Sequence, residues 1–391
     1  MQKKVTVRNC PCCGKFSAIK FTDVSFLNDE CPLPEHYDIV GCIYCGFCYA
    51  DMYANQETFN LYYEKYNNYG YDSKIKIESL HNTPYENICN IIKEFVKKDK
   101  KIIDIGCGGG DVLHLLSYDG YKNIYGLDPS QRAVELLNDD GIYGVLGNIF
   151  DSVDADNLHA YDMVISTCVM EHIYDLNQYI EQLKLYMRDS TDAILFISVP
   201  SVAGFPRQIT PKPNYFNREH INFFSIGSLD NLMSQHGLKR INTEFNYYYK
   251  NEEYIYGMYR LVHDTSPLIK KDEIGQASIE AYLKEWDNKQ KAIDDKVKKI
   301  RARDSNIIVF GMGSYVEWLL TKYPVLRDQI LFGVDNNIEK HNSIFAGIPI
   351  YGADKITEYA DELIVICSML YADQIKEQLM DMHIKNDILI M

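Results

Sequence analysis

The run KIIDIGCGGG at positions 101–110 constrains this chain more than any other stretch. A short apolar segment breaks into glycines and is followed by DVLHLLSYDG, whose apolar residues fall at helical spacing. Strand, tight turn and helix in that order form the repeating piece of a parallel α/β sheet. Glycines at such a turn let the backbone take positive φ and approach a ligand closely, and the helix that begins there leaves N–H donors unpaired. The pattern then repeats. NIYGLD is a strand ending in Asp128, and SQRAVELLNDDG is a helix with Ser130 as its N-cap and Gly141 as its stop. GVLGNIF, YDMVISTC and DAILFISVP add strands, DLNQYIEQLKLYM adds a helix, and PYENICNIIKEFVKK ahead of the glycines is an amphipathic helix. The expected core is a doubly wound α/β sheet.

The glycine spacing departs from the G-x-G-x-x-G of phosphate-binding turns. Asp104 stands two residues before the first glycine, where it would repel a phosphate but suits the ammonium group of S-adenosylmethionine. Asp128, at the end of the next strand, can accept from both hydroxyls of a ribose. Asn148 and Ile149, in the later GNIFD, fall where an adenine would lie. Together these motifs imply a class I S-adenosylmethionine-dependent methyltransferase fold. The cofactor-binding set is Asp104, Gly106, Cys107, Gly108, Asp128, Asn148 and Ile149.

Seven of the eleven cysteines lie within the first 48 residues, a clustering that favours metal ligation over disulfides in a reducing compartment. Two C-x-x-C-G knuckles, Cys10/Cys13 and Cys42/Cys45, make a tetrathiolate set suited to a structural Zn2+. Cys12, Cys31 and Cys48 are alternative ligands.

Two further segments carry acid–base groups. VMEHIYDL brings Glu171 and His172 to the carboxyl edge of the sheet, where open α/β folds bind ligands. FNREHINFFS places Glu219 beside His220 in a long excursion at 201–225, and a carboxylate-oriented imidazole can act as a general base. Residues 270–303 alternate Lys, Glu and Asp and read as a solvent-exposed linking helix. GMGSYV, with Asp335 at the end of ILFGVD, opens a second, smaller α/β block in which Val316 stands where a third glycine would be.

A net charge of −15 argues against a nucleic-acid substrate. No apolar run approaches the roughly 20 residues of a membrane span, and no apolar segment follows the basic N-terminus as a signal would require. A cytoplasmic protein with a small-molecule partner and no membrane contact is expected; oligomeric state is not legible.

The order of these features resembles the three-domain sugar C-methyltransferases of deoxysugar pathways. The resemblance rests on the four knuckle cysteines, the Tyr-rich segment ending in YGYDS, DIGCGGG, VMEHIYDL, EHINFFS and FGMGS…GVDNN…GIPIYGADKI. It implies a zinc-binding domain at 1–80, a methyltransferase domain at 81–265, a linking helix at 266–305 and a Rossmann-like domain at 306–391. It further implies a nucleotide-linked keto or deoxy sugar as substrate, in surface polysaccharide or deoxysugar synthesis. His220 would be the base, with Glu219 beside it. His172, or a tyrosine among Tyr66, Tyr69 and Tyr71, would stabilise an enolate. The family commonly has Tyr two residues before the Glu, where this chain has Asn217. Sugar O-methylation is the alternative, and a non-catalytic zinc-containing assembly protein is the alternative from another class.

Overall fold

The computed structural model describes residues 2–27, 31–65, 77–207, 215–249, 252–262, 269–368 and 371–391. Its contacts divide the chain into two compact units. The first holds the described residues of 1–23, 30–208 and 219–280, and the second those of 24–29, 209–218 and 281–391.

The first unit begins with strands β1 (Gln2–Val5), β2 (Ser17–Ser25), β3 (His36–Cys42) and β4 (Cys48–Asp51), then helix α1 (Gln56–Lys65). After α2 (Ile77–Leu80) and α3 (Pro84–Phe95) come β5 (Ile102–Ile105), α4 (Asp111–Tyr118), β6 (Ile124–Asp128), α5 (Gln131–Asp139) and β7 (Tyr143–Leu146). The chain continues through β8 (Met163–Thr167), a single 3-10 turn at Met170–His172, α6 (Leu176–Tyr186) and β9 (Ile194–Pro200). It closes with β10 (Asn222–Phe223), α7 (Ile226–Gln235), β11 (Leu238–Arg240), β12 (Asn246–Tyr249) and β13 (Glu252–Leu261). Ser130 caps α5 by accepting from Ala133 N–H, and Asp175 caps α6 by accepting from Gln178 N–H.

The central sheet runs β7-β6-β5-β8-β9-β13-β11, with β12 also paired to β13. The five strands from β7 to β9 are parallel, and β13 is antiparallel to β9. Ile103, Val164, Leu195 and Ile197 join one buried cluster; Ile102, Met163, Ile194 and Phe196, their alternating neighbours, join another. A parallel strand covered on both faces is a nearly continuous apolar run, which is why IIDI and ILFIS carry no polar alternation and hold one polar residue each, Asp104 and Ser198.

Part of the excursion at 201–225 is strand. Its residues 222–223 form β10, which pairs antiparallel with β4, Asn222 opposite Tyr49 and Phe223 opposite Cys48. The N-terminal sheet, β1-β2-β3-β4-β10, therefore takes its last strand from 170 residues downstream of β4. Two tight turns complete it. Gly14 N–H donates to Cys10 O and Gly46 N–H to Cys42 O, with φ of +71° and +83°.

Helix α8 (Ile274–Arg301) links the units. The solvent-exposed helix expected from its charges is corrected here: Ile279, Tyr282, Trp286, Ile293, Val297 and Ile300 form a buried stripe at helical spacing. In the second unit Trp286 packs edge-on against Trp318, with ring centroids 5.2 Å apart. That unit contains β14 (Ile307–Phe310), α9 (Ser314–Lys322), β15 (Ile330–Val334), β16 (Ile344–Phe345), β17 (Ile348–Tyr351), β18 (Leu363–Ile366), α10 (Ala372–Asp381) and β19 (Ile388–Ile390). Its sheet order is β16-β17-β15-β14-β18-β19, parallel except for β16. Among the described residues no helix is long and apolar enough to cross a membrane.

The two knuckle glycines are not equivalent. A Cβ on Gly46 would lie 1.8 Å from Asp272 O, whereas one on Gly14 meets nothing within 4 Å. Gly14→Ala adds left-handed backbone strain alone, about 1 kcal/mol. Gly46→Ala also forces Asp272 aside, and its loss should exceed about 2 kcal/mol. Urea-unfolding midpoints of the two variants measure the difference; equal losses contradict this account.

Candidate active site and thiolate cluster

The carboxyl ends of β5, β6 and β8 open onto a cavity of about 480 Å³. All seven cofactor residues expected from the sequence line it: Asp104, Gly106, Cys107, Gly108, Asp128, Asn148 and Ile149. Gly106 has φ +74°, and a Cβ there would fall 2.6 Å from Val169 Cγ2, so the turn admits no side chain. Asp128 is fixed by the backbone around it. Its Oδ2 accepts from Gly108 N–H at 2.8 Å and its Oδ1 from Ser130 N–H at 2.8 Å. Each oxygen keeps a second lone pair for a ligand hydroxyl. Asn148 Oδ1 accepts from Phe150 N–H at 3.1 Å, so the side chain also holds the turn that carries Ile149.

Asp104 is only 2% exposed, and its Oδ1 has no hydrogen-bond partner. Burial first, then the charges of Asp128 and Asp111, push its carboxyl well above the usual range. A carboxylate held dry among two others is costly unless a cation arrives. This end of the cavity fits a ligand with a positively charged head.

The other end holds Glu171, His172 and His220, which all line the same cavity. One ligand-type atom from each lies within 4.8 Å of the others. His172 and His220 meet edge to face, centroids 4.7 Å apart, and Tyr63 packs edge-on against His172 at 5.6 Å. His172 Nδ1 lies 3.2 Å from Glu219 O. A carbonyl only accepts, so Nδ1 carries the hydrogen and the neutral ring presents a bare Nε2, 3.9 Å from Glu171 Oε1. His172 therefore enters as an acceptor, not as the hydrogen-bond donor to an enolate that the sequence suggested.

Burial sets the charges here. It lowers His172 to about 4 and, with His172 beside it, His220 to about 3. It raises Glu171 to about 8, and Glu171 Oε2 has no partner. Glu219 points differently from the expectation. Its carboxylate accepts from Tyr62 Oη at 2.8 Å and Tyr63 Oη at 3.4 Å, although its charge still acts on His220. Tyr66, the tyrosine expected in the site, lies outside the described residues, as do Tyr69 and Tyr71. Tyr63 was not selected from the sequence, although it lies three residues before Tyr66, which was.

A buried guanidinium holds this end in place. Arg8 reaches Ala50 O at 3.3 Å, Ile221 O and Ile173 O at 3.5 Å each, and Tyr174 O, and it lies 4.2 Å from the Tyr174 ring centroid. Ile173 and Ile221 directly follow His172 and His220. Asn222 adds donations to Met170 O at 2.8 Å and Ile173 O at 2.7 Å.

Two residues after Arg8 the thiolate cluster begins. Cys10 and Cys45 have Sγ atoms 3.5 Å apart, as do Cys13 and Cys42, and all four sulfurs lie within 4.8 Å of one another. Four thiolates around one zinc at 2.3 Å sit about 3.8 Å apart. The donor set fits a tetrahedral metal. Cys12 and Cys48 fall outside that set of four, Cys12 Sγ taking Gln235 Nε2 at 3.7 Å and Cys48 Sγ donating to Gly46 O at 3.6 Å.

In the second unit GMGSYV repeats the local design of the first. Met312 N–H donates to Asp335 Oδ2 at 3.0 Å and Asn337 N–H to Asp335 Oδ1 at 2.9 Å, as Gly108 and Ser130 do to Asp128. Lys340 Nζ also donates to Asp335 Oδ2 at 3.0 Å, and Phe310 stands where the first unit has Ile105, so the chemistry of this cavity differs.

Comparison with known proteins places this geometry. Residues 80–243 match the methyltransferase-domain family, and residues 303–390 match a family described as C2185-like, N-terminal. The C-methyltransferase NovU of Streptomyces niveus is 20% identical over 291 residues, 70% of this chain and 67% of NovU. A ubiquinone biosynthesis O-methyltransferase of Rickettsia conorii is 30% identical over 100 residues, which are 24% of this chain and about a third, 34%, of that protein. Among solved structures, magnesium protoporphyrin IX methyltransferase from Synechocystis PCC 6803 is 14% identical, with a TM-score of 0.40 over 53% of this chain and all of that one. The first unit thus contains a class I methyltransferase domain. The protein is an S-adenosylmethionine-dependent methyltransferase.

The two buried imidazoles are neutral in the folded protein, while in the unfolded chain they protonate near 6.5. Their contribution to stability is complete above pH 6.5 and is lost as the pH falls toward 4. In NMR spectra both rings should remain neutral at pH 5.5, where exposed histidines are mostly protonated. A protonated His172 or His220 at that pH contradicts the burial argument.

Proposed function

We propose that this enzyme transfers a methyl group from S-adenosylmethionine to a nucleotide-linked keto or deoxy sugar, by C-methylation through an enolate. The observation that carries the reading is one cavity lined both by carboxyl groups, at Asp104 and Asp128, and by neutral bases, at His172 and His220. In this reading Asp104 and the Gly106–Gly108 turn hold the methionine part of the cofactor. Asp128 holds its ribose, and Asn148 and Ile149 flank its adenine. When bound, S-adenosylmethionine supplies an electrophilic methyl group, so the protein's task is alignment and proton removal.

His220, neutral at working pH, takes the proton from the carbon beside the ketone. Tyr62 and Tyr63 hold Glu219, and Glu219 O holds His172, so the basic face is rigid before the acceptor arrives. The tetrathiolate at Cys10, Cys13, Cys42 and Cys45 holds a structural zinc that keeps Arg8 in position. An acidic chain favours a small acceptor over a nucleic acid.

A second reading is O-methylation of a sugar hydroxyl. It is favoured by Asn217, which leaves that position without the phenol the C-methylating family commonly has.

Purified protein incubated with labelled S-adenosylmethionine and a panel of nucleotide-linked keto sugars should yield a methylated sugar. Deuterium should exchange at the carbon beside the ketone; product without exchange favours O-methylation. No product across the panel, with cofactor still bound, removes the sugar assignment. Asp104→Asn should weaken cofactor binding by about tenfold or more in calorimetry, through loss of a buried charge contact.

A further inference from the structure

His172 can only receive a hydrogen bond from a ligand in this cavity. Its Nδ1–H is committed to Glu219 O at 3.2 Å, and its Nε2 has no hydrogen-bond partner among the described residues. Burial keeps the ring neutral, so Nε2 retains its lone pair at working pH. Glu171 Oε1 stands 3.9 Å from Nε2, too far for a direct hydrogen bond. Glu171 is 3% exposed, its other oxygen has no partner, and the ring it faces carries no charge. Burial raises its carboxyl to about 8, so near neutral pH it is an acid with one O–H to donate. Both side chains line the same cavity.

We propose that Glu171 and His172 together grip one hydroxyl of the acceptor, Glu171 donating to its oxygen and His172 Nε2 taking its hydrogen. An oxygen about 2.8 Å from each atom spans the 3.9 Å between them. Other groups fail on their hydrogens. A ketone or enolate oxygen only accepts and would meet the Nε2 lone pair. An ammonium only donates and would leave the Glu171 O–H unpaired. A hydroxyl does both.

His220 remains the base. Its ring centroid lies 4.7 Å from that of His172, so the two imidazoles reach neighbouring atoms of one substrate. His220 takes the proton from the carbon beside the ketone, while Glu171 and His172 hold the hydroxyl on that same carbon. The acceptor selected is thus a keto sugar with a free hydroxyl beside the ketone, and its deoxy counterpart is rejected. The inference rests on the reading that a sugar acceptor sits here, and it names the oxygen that is recognised.

The test uses full-length protein with its thiolate cluster filled with zinc and S-adenosylhomocysteine bound. Infrared difference spectra of wild type against Glu171→Gln near neutral pH should contain the carbonyl stretch of one protonated carboxyl. Its absence means that Glu171 is ionised, and overturns the grip. For kinetics with S-adenosylmethionine, the probes are two nucleotide-linked keto sugars that differ only in that hydroxyl, present or replaced by hydrogen. Wild type should favour the hydroxyl-bearing sugar at least about tenfold in kcat/KM, because the other leaves both side chains unpaired. Glu171→Met should cut that preference to below about threefold, whereas Glu171→Gln, whose amide still donates, should keep most of it. A merely structural role lowers the rates for both sugars together and leaves the ratio unchanged. If circular dichroism shows that Glu171→Met does not fold, the wild-type preference and the Glu171→Gln ratio decide. Equal methylation of both sugars by wild type, or an unchanged ratio in Glu171→Met, overturns the grip and leaves the sugar assignment standing. Methylation of neither sugar, with S-adenosylhomocysteine still bound, removes the sugar assignment and the grip with it.

Discussion

The imidazole-lined part of the cavity depends on a buried positive charge. Arg8 is 3% exposed, and its guanidinium is surrounded by carbonyl oxygens from three segments distant in sequence, with two tyrosine rings at its faces. Taking a cation out of water costs several kcal/mol, offset here by carbonyl dipoles and π faces. Burial lowers its pKa only to about 10, so it stays charged at neutral pH. Because the carbonyls belong to Ala50, Ile173, Tyr174 and Ile221, one side chain fixes the N-terminal sheet, the turn after β8 and the segment entering β10. His172 and His220 are placed by that arrangement.

The cavity between these supports is polarised by the fold itself. At one end parallel strands deliver Asp104 and Asp128 to their carboxyl edge, where buried carboxylates call for a cationic ligand. At the other, desolvation removes the charge from two imidazoles and keeps a proton on Glu171 near neutral pH. The second unit uses the same strand–turn–helix geometry around Asp335, but Lys340 neutralises that carboxylate.

Local patterns were legible where local physics sets them. KIIDIGCGGG and NIYGLD announced the parallel sheet and its carboxyl edge, because a strand buried on both faces is a nearly continuous apolar run and a tight turn with positive φ favours glycine. The knuckle spacing singled out Cys10, Cys13, Cys42 and Cys45 but left Cys12, Cys31 and Cys48 as rivals. Their separation needed the positions of the sulfurs. The charge pattern of 270–303 misled because a helix can be charged on one side and buried on the other, and counting charges ignores the stripe from Ile279 to Ile300.

The sequence by itself singled out the glycine-turn part of the cavity lining, since Asp104, the glycines, Asp128, Asn148 and Ile149 come from two successive strand–helix turns and a short loop within 46 residues. Only the tertiary structure decided the part of the lining built from Glu171, His172 and His220. It brings Glu171 and His172 from after β8 to His220 from beside β10, and ties both to Arg8 at the N-terminus. It also turns Glu219 toward Tyr62 and Tyr63 and fixes the tautomer of His172. Those pairings join residues up to 213 positions apart through strand pairing and one buried charge, and neither periodicity nor motif spacing carries information at that range.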